Sequence, residues 1–397
     1  MVDKEFAVNK SHTIRVGFIL PAGSWRGGRN YLLSLFSALQ TLPGNPITPV
    51  ILSGQDADDV SSDFPDVEVV RTAILDRKSL AWLVQKVFAK VTTRDIILQR
   101  LLRKHDISVL SHCLRLDGKI GIATLGWIPD FQHIHLQQFF SEQERHQRDR
   151  EFMDLCVRCN KVIVSSECAR ADLRAFSPQH ENKAELLHFV ADPAPVTSAV
   201  SLSDVKEKYG FTGPYFVLPN QFWAHKNHRV VLNALQILKQ RNQPLLVLAT
   251  GSSKDSRDPS YFPSLMQYAE ECKVLDYFRV LGIVPFPHLV ELMRNSIALI
   301  NSSRFEGWST SVEEAKSMGK QILLSDIPVH REQAPERGIY FPAENPDALA
   351  EAMIAAYNGF DAAHDATMQD EARARFPERQ REFGSTYSRI ISRFKNS

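Results

Sequence analysis

A chain of 397 residues, with 47 Lys+Arg against 46 Asp+Glu for a net charge of +1 and 44% hydrophobic side chains, has material for two or three globular domains. That composition excludes a disordered polyelectrolyte, a collagen-like repeat, a small disulfide scaffold and a protein that grips nucleic acid by bulk charge.

Along the chain, short β-rich runs alternate with helical periodicity, the pattern of parallel α/β architecture. Residues 14–20 predict a first strand and 31–39 a helix, joined by a loop containing Gly27 and Gly28. Paired glycines permit close backbone approach, or form a plain tight turn; the full G-x-G-x-x-G spacing of a dinucleotide site is absent. Further strands are predicted at 50–52, 67–70, 109–112, 123–127 and 161–164. Between them, 77–104 carries eight Lys and Arg against Asp95 alone, with Leu80, Leu83, Val84, Val87, Phe88 and Val91 at helical spacing. Such a stretch is either a layer helix with a buried apolar face and a solvated basic side, or a contact for an anionic membrane surface.

Residues 192–198, rich in Pro and Ser, read as a linker. A second series of strands follows at 215–218, 245–249, 278–281, 297–300, 321–324 and 338–341. The segment 376–396 reads as a charged helix with Phe383, Tyr387, Ile390, Ile391 and Phe394 near one face, expected to dock on the rest. The organisation predicted is a domain over 1–195, a second over 196–375, and a C-terminal helix over 376–397 packing back on the first. Two doubly wound sheets place a ligand in the cleft at the carboxyl ends of their strands.

Five cysteines, an odd number, point to a reducing compartment, and the Cys156/Cys159 pair has no matching ligand pair for zinc. The N-terminal residues show no apolar stretch before a cleavage site, and no apolar run approaches the ~20 residues that span a bilayer. A cytoplasmic protein is expected, peripheral at the inner membrane face if 77–104 meets lipid.

The richest constellation is 302–319, which follows an apolar strand and leads into a helix. Glu306 and Glu314 are separated by seven residues, and Gly307, Trp308, Ser309 and Thr310 between them offer backbone N–H groups beside a helix start. Carboxylates do not favour phosphate, so the two acids suit hydroxyls. The alternative for Glu314 is a capping box with Ser311.

This stretch resembles the Glu-x7-Glu motif of retaining glycosyltransferases of family 4, and the likeness extends from 281–285 to 341–346, nearly the whole second unit. The resemblance implies the GT-B fold, two Rossmann-like domains facing a cleft, with Glu306 on the donor sugar's hydroxyls and Glu314 on the ribose. Ser309 and Thr310 stand where many members have Gly and a larger apolar residue. In 218–228, Lys226 matches a family lysine directed at the donor diphosphate, while Gln221 occupies the position of a family arginine; Gln donates hydrogen bonds but carries no charge. The Gly27–Gly28 loop resembles one lying under the donor phosphate and the acceptor. At 126–135 the family's His-Asp becomes Pro129-Asp130, which nominates Asp130 as the acceptor-side carboxylate and His133 as a substitute for the absent His; both alternatively cap a local turn.

The function implied is a retaining transfer from a UDP- or GDP-sugar to a glycan or lipid-linked saccharide in surface polysaccharide synthesis. Glu306, Lys226 and Asp130 would be catalytic, with no metal or other cofactor. An epimerase or phosphorylase of the same fold, or a sugar-nucleotide-binding protein that has lost turnover, are the rival readings.

Overall fold

In a computed structural model, residues 13–20, 26–57, 64–191 and 200–394 are described. The linker predicted at 192–198, Ser24 and Trp25 of the glycine loop, and the 195/196 boundary lie outside them.

The first sheet is built from β1 (Ile14–Ile19), β2 (Ile47–Ser53), β3 (Glu68–Arg71), β4 (Val109–Cys113), β5 (Ala123–Trp127), β6 (Lys161–Val164) and β7 (Ala184–Leu186). The helices between them are α1 (Arg26–Gln40), α2 (Leu80–Thr92), α3 (Ile96–Lys104), α4 (Gln132–His135), α5 (Glu142–Arg158) and α6 (Glu167–Phe176). Strand order is β3-β2-β1-β4-β5-β6-β7, parallel at each pairing.

The second sheet contains β8 (Phe216–Pro219), β9 (Val247–Thr250), β10 (Phe278–Gly282), β11 (Leu299–Asn301), β12 (Ile322–Ser325) and β13 (Gly338–Phe341). Its helices are α7 (Leu202–Tyr209), α8 (His228–Gln240), α9 (Tyr261–Glu271), α10 (Phe286–Arg294), α11 (Thr310–Ser317), α12 (Pro328–Gln333) and α13 (Pro346–Asn358), before the long α14 (Ala362–Ser392). Its order, β10-β9-β8-β11-β12-β13, is again parallel.

Inner strands of both sheets contain apolar runs because helices cover both faces, as in Val50-Ile51-Leu52 of β2 and Ile322-Leu323-Leu324 of β12, all fully buried. Side-chain caps fix the helix starts: Ser79 accepts from the Trp82 amide, Asp95 from Leu98, Ser166 from Ala169, and Ser141 and Ser201 form capping boxes with Glu144 and Asp204. Sheet order reverses between β1 and β4 and between β8 and β11, so the loops after these strands open on the cleft.

Two expectations are corrected. Gly27 and Gly28 belong to the first turn of α1 rather than to a loop, with Gly27 exposed and Gly28 buried, and neither has a positive φ. The C-terminal helix, expected over 376–396, begins at Ala362 and runs through Pro377 to Ser392. Anchors on both sides of the proline sustain it. Upstream, Asp365 pairs with Lys320 and Arg337, each at 2.6 Å. Downstream, Phe383, Tyr387 and Ile391 fill the first domain's core beside Phe18, Tyr31 and Leu35. Gly384 lets α14 approach α1 so closely that a Cβ there would lie 2.6 Å from the Ala38 carbonyl oxygen.

Candidate functional site

The loops after β8 and β11 are laced together at the switch point of the second sheet. After β8 the chain makes one 3₁₀ turn over Ala224–Lys226, passes through Asn227 in the left-handed region (φ 55°), and enters α8. Asn227 Nδ2 donates to the Ala343 carbonyl at 2.8 Å, Ser302 Oγ to the Lys226 carbonyl at 2.9 Å, and the Arg304 amide to the His225 carbonyl at 2.8 Å. This scaffold delivers Lys226 Nζ to Glu306 Oε1 at 2.6 Å, and Ser303 Oγ donates to the same oxygen at 2.6 Å.

Glu306 is nearly buried, which alone pushes its pKa up, but the Lys226 ammonium and the hydrogen bonds from Lys226 and Ser303 outweigh that and hold it below the ordinary carboxylate value. It is therefore a charged, oriented acceptor. Burial drives His225 down to about 3, assisted by the neighbouring Lys226, so its ring is neutral. His330, fully buried, is likewise lowered by burial; its Nδ1 lies 2.8 Å from the Ser325 carbonyl and its Nε2 has no partner among the described residues.

Glu314 has the opposite environment. It is 7% exposed, no side-chain hydrogen bond reaches it from the described residues, and burial lifts its pKa to about 8. The capping-box alternative fails. The helix starts at Thr310 with Ser309 as its cap, so Ser311 already lies within the first turn and Glu314 satisfies no amide there. The adjacent Glu313 carries the structural load instead, bonded to Arg379 at 2.6 Å and to Gln333 Nε2 at 3.0 Å. The Glu314 oxygens are not among the sealed polar atoms left without a partner, so they reach the cleft, where paired hydroxyl groups of a ligand would satisfy them.

Across the cleft, the loop after β5 presses on Gly307. A Cβ at that position would stand 2.1 Å from the Pro129 carbonyl oxygen and 2.9 Å from Asp130 Cβ, so only glycine permits the contact. Asp130 thus sits beside the Glu306 loop. Its Oδ1 accepts from the Gln132 amide at 2.9 Å and approaches Arg148 Nη1 at 3.5 Å, so the carboxylate also initiates the short α4.

Four nominated residues are placed elsewhere. His133 is buried among Phe131, Phe140 and Phe152 with Nε2 on Asp149 at 3.0 Å, a packing position because α4 turns Gln132 and His133 inward and leaves Ile134 exposed. Trp308 points into the first domain, stacking on His188 at 4.5 Å and donating Nε1–H to the Phe189 carbonyl at 3.1 Å. Gln221 spends its oxygen on the Ser252 amide at 2.6 Å, tying two loops. Ser309 is engaged on both sides, its amide with Gln333 Oε1 at 3.3 Å and its hydroxyl with Asn301 at 2.9 Å. Thr310 remains at the open first turn of α11.

Sequence reasoning missed two cross-cleft residues. Glu332 accepts from the amides of Glu167 and Cys168 at the start of α6, at 2.6 and 3.4 Å, and from His188 at 2.7 Å. Arg257, from the loop after β9, donates to Gln132 Oε1 at 3.1 Å and lies against the Phe140 and Trp223 rings. Neither sits in a motif, and only the assembled domains reveal their partners. Among the described residues no group of three or more His, Cys, Asp or Glu is placed to hold a metal ion.

Facing parallel sheets with a helix returning from the second domain to the first define a GT-B protein. Comparison with known proteins narrows this: residues 204–375, most of the second domain, match the family model "Glycosyl transferases group 1". A stretch of 140 residues is 28% identical to the serotype-specific mannosyltransferase WbdA of Escherichia coli. It makes up 35% of this chain and 17% of that protein, so the chain spans only a small part of the relative's length. Among solved structures, Anabaena HepE in complex with UDP and glucose superposes with a TM-score of 0.67 at 15% identity, over 96% of this chain and 99% of that one. WaaG, a glycosyltransferase involved in lipopolysaccharide biosynthesis, gives a TM-score of 0.56 at 14% identity, over 94% and 95%. At these identities the likeness is one of fold.

Proposed function

We propose that the chain is a glycosyltransferase that moves a sugar from a nucleoside-diphosphate donor to a saccharide hydroxyl with retention of anomeric configuration. The observation that carries this reading is the pairing of a charged Glu306, held by Lys226, with an unpartnered buried Glu314 one helix turn into α11. Glu306 would accept hydrogen bonds from the donor sugar. Glu314 would take the ribose hydroxyls, its protonated form giving one hydrogen bond and accepting another. Lys226 and the free N–H groups at the start of α11 would stabilise the departing diphosphate without a metal. Lys226 must then exchange part of its bond with Glu306 for the phosphate. The acceptor hydroxyl would enter beside Asp130, on the same face as the leaving group.

The Anabaena structure with UDP makes UDP-sugars the first donors to test, and the mannosyltransferase relative makes mannosyl nucleotides the second. Both WbdA and WaaG support a surface-saccharide acceptor. The test is incubation of purified protein with each donor and a saccharide acceptor, with and without EDTA, followed by NMR of the product anomer. An α-donor giving an α-linked product supports the reading. Free epimerised sugar nucleotide, or sugar 1-phosphate formed from glycan and phosphate, would replace transfer with epimerase or phosphorylase chemistry. The engaged Gln221 favours one second reading, a nucleotide-binding protein without turnover; Gln221→Arg restoring transfer to an inactive chain would support it.

A further inference from the structure

Helix α2 is built inside out. It rests on the first domain through Gln85 and Ala89, both buried, and Gln85 bonds Asp95 there. With ~100° between successive residues, these two lie opposite Leu80, Val84, Val87 and Val91. Those four, with Leu83 and Phe88, form a stripe facing solvent, in which Leu80 and Val91 are each 77% exposed. Six of the twelve strongly exposed large apolar side chains among the described residues lie on this one helix, which rejects the layer-helix alternative, since a layer helix buries that face.

The exposed charged side chains that border the stripe itself are basic. Lys78 precedes the helix, Lys90 flanks the apolar face and Arg94 follows it, all exposed. No acidic residue lies within α2. The acids at its ends are committed elsewhere, Asp76 to the amides of Gln55 and Asp56 and Asp95 to that of Leu98.

The helix is also surplus to the fold. Crossing from β3 to β4 requires one returning helix, and α3 serves, since it ends at His105, whose carbonyl bonds Arg15 beside the start of β1. Helix α2 instead stays at the carboxyl rim of the sheet. It follows β3 after a single 3₁₀ turn over Ala73–Leu75, and Lys86 bonds Asp117 in the loop following β4. That rim faces the cleft.

We infer that α2 seats the protein on an anionic lipid bilayer, its Leu80–Val91 stripe entering the headgroup–acyl boundary and its flanking Lys and Arg meeting acidic headgroups. A rim helix so seated holds the cleft mouth at the lipid surface. The occupant is lipid rather than a second copy because the flanks are uniformly basic and would repel their own image.

The test uses the full chain in flotation assays with phosphatidylcholine vesicles, either pure or containing about one-third phosphatidylglycerol. The wild type should float with the anionic vesicles, and the triple variant Val87→Ser, Phe88→Ser, Val91→Ser should bind them at least about tenfold more weakly. Lys78→Glu with Lys90→Glu and Arg94→Glu should abolish the difference between the two vesicle types. These side chains are exposed, so circular dichroism and melting temperature should match the wild type, separating lost docking from lost folding. Wild type that stays unbound, a serine variant that floats like wild type, or light scattering showing a dimer that the serine variant dissolves would each overturn the inference.

Discussion

On the second domain's side of the cleft, Lys226, Ser303 and Glu306 form a chain of bonds at 2.6 Å, braced by backbone contacts between the loops after β8 and β11. On the first domain's side, Asp130 holds its own helix start, His133 is withdrawn into an aromatic cluster, and Trp308 crosses over to dock there. One wall is organised before any ligand arrives; the other reaches the site through a single carboxylate and the close contact at Gly307. The difference teaches that a motif on one wall is legible as chemistry, whereas on the other a nominated side chain acts only where the backbone brings it to the mouth.

Variants can break this comparison. Glu306→Gln should lower transfer by about 100-fold or more, since a preorganised charged acceptor is lost, and initial rates at saturating donor would read it. Asp130→Asn should lower turnover by about tenfold with donor affinity unchanged in calorimetry; equal loss of both would make the first wall part of the donor site. Glu314→Gln tests the buried carboxyl. A group protonated up to about pH 8 in the fold, but ionising near 4.3 when unfolded, costs stability progressively as pH rises between those values. The variant should therefore match wild type near pH 4, gain about 1 kcal/mol or more in urea melts at pH 8, and bind nucleotide less tightly. Smallest is His133→Phe, for which transfer should stay within about twofold because the ring lies among phenylalanines.

Much of the fold was legible because inner strands such as β2, β6 and β12 are buried on both faces and rich in apolar residues, whereas β7, three half-buried residues, left no such trace. Glu306 and Glu314 stood out because a strand, a loop and a helix start share one short stretch, and Lys226 because it sits in a second such stretch 80 residues earlier. His133 and Trp308 misled because a polar or aromatic residue in a loop does not reveal which wall it turns to. Glu332 and Arg257 could not be found from spacing, as each finds its hydrogen-bond partners across the cleft over 100 residues away. The apolar stripe of α2 was visible, but its outward orientation depends on Gln85 and Ala89 being the residues that pack.

The path of α14 bears on how the chain is made. Phe383, Tyr387 and Ile391 complete a core whose other members begin at Ile14, so the first domain is finished by residues that follow the whole second domain in the chain. Until α14 emerges, the apolar surface around Phe18, Tyr31 and Leu35 stays open to solvent, and the second domain, assembled meanwhile, becomes the platform that carries the missing helix to it.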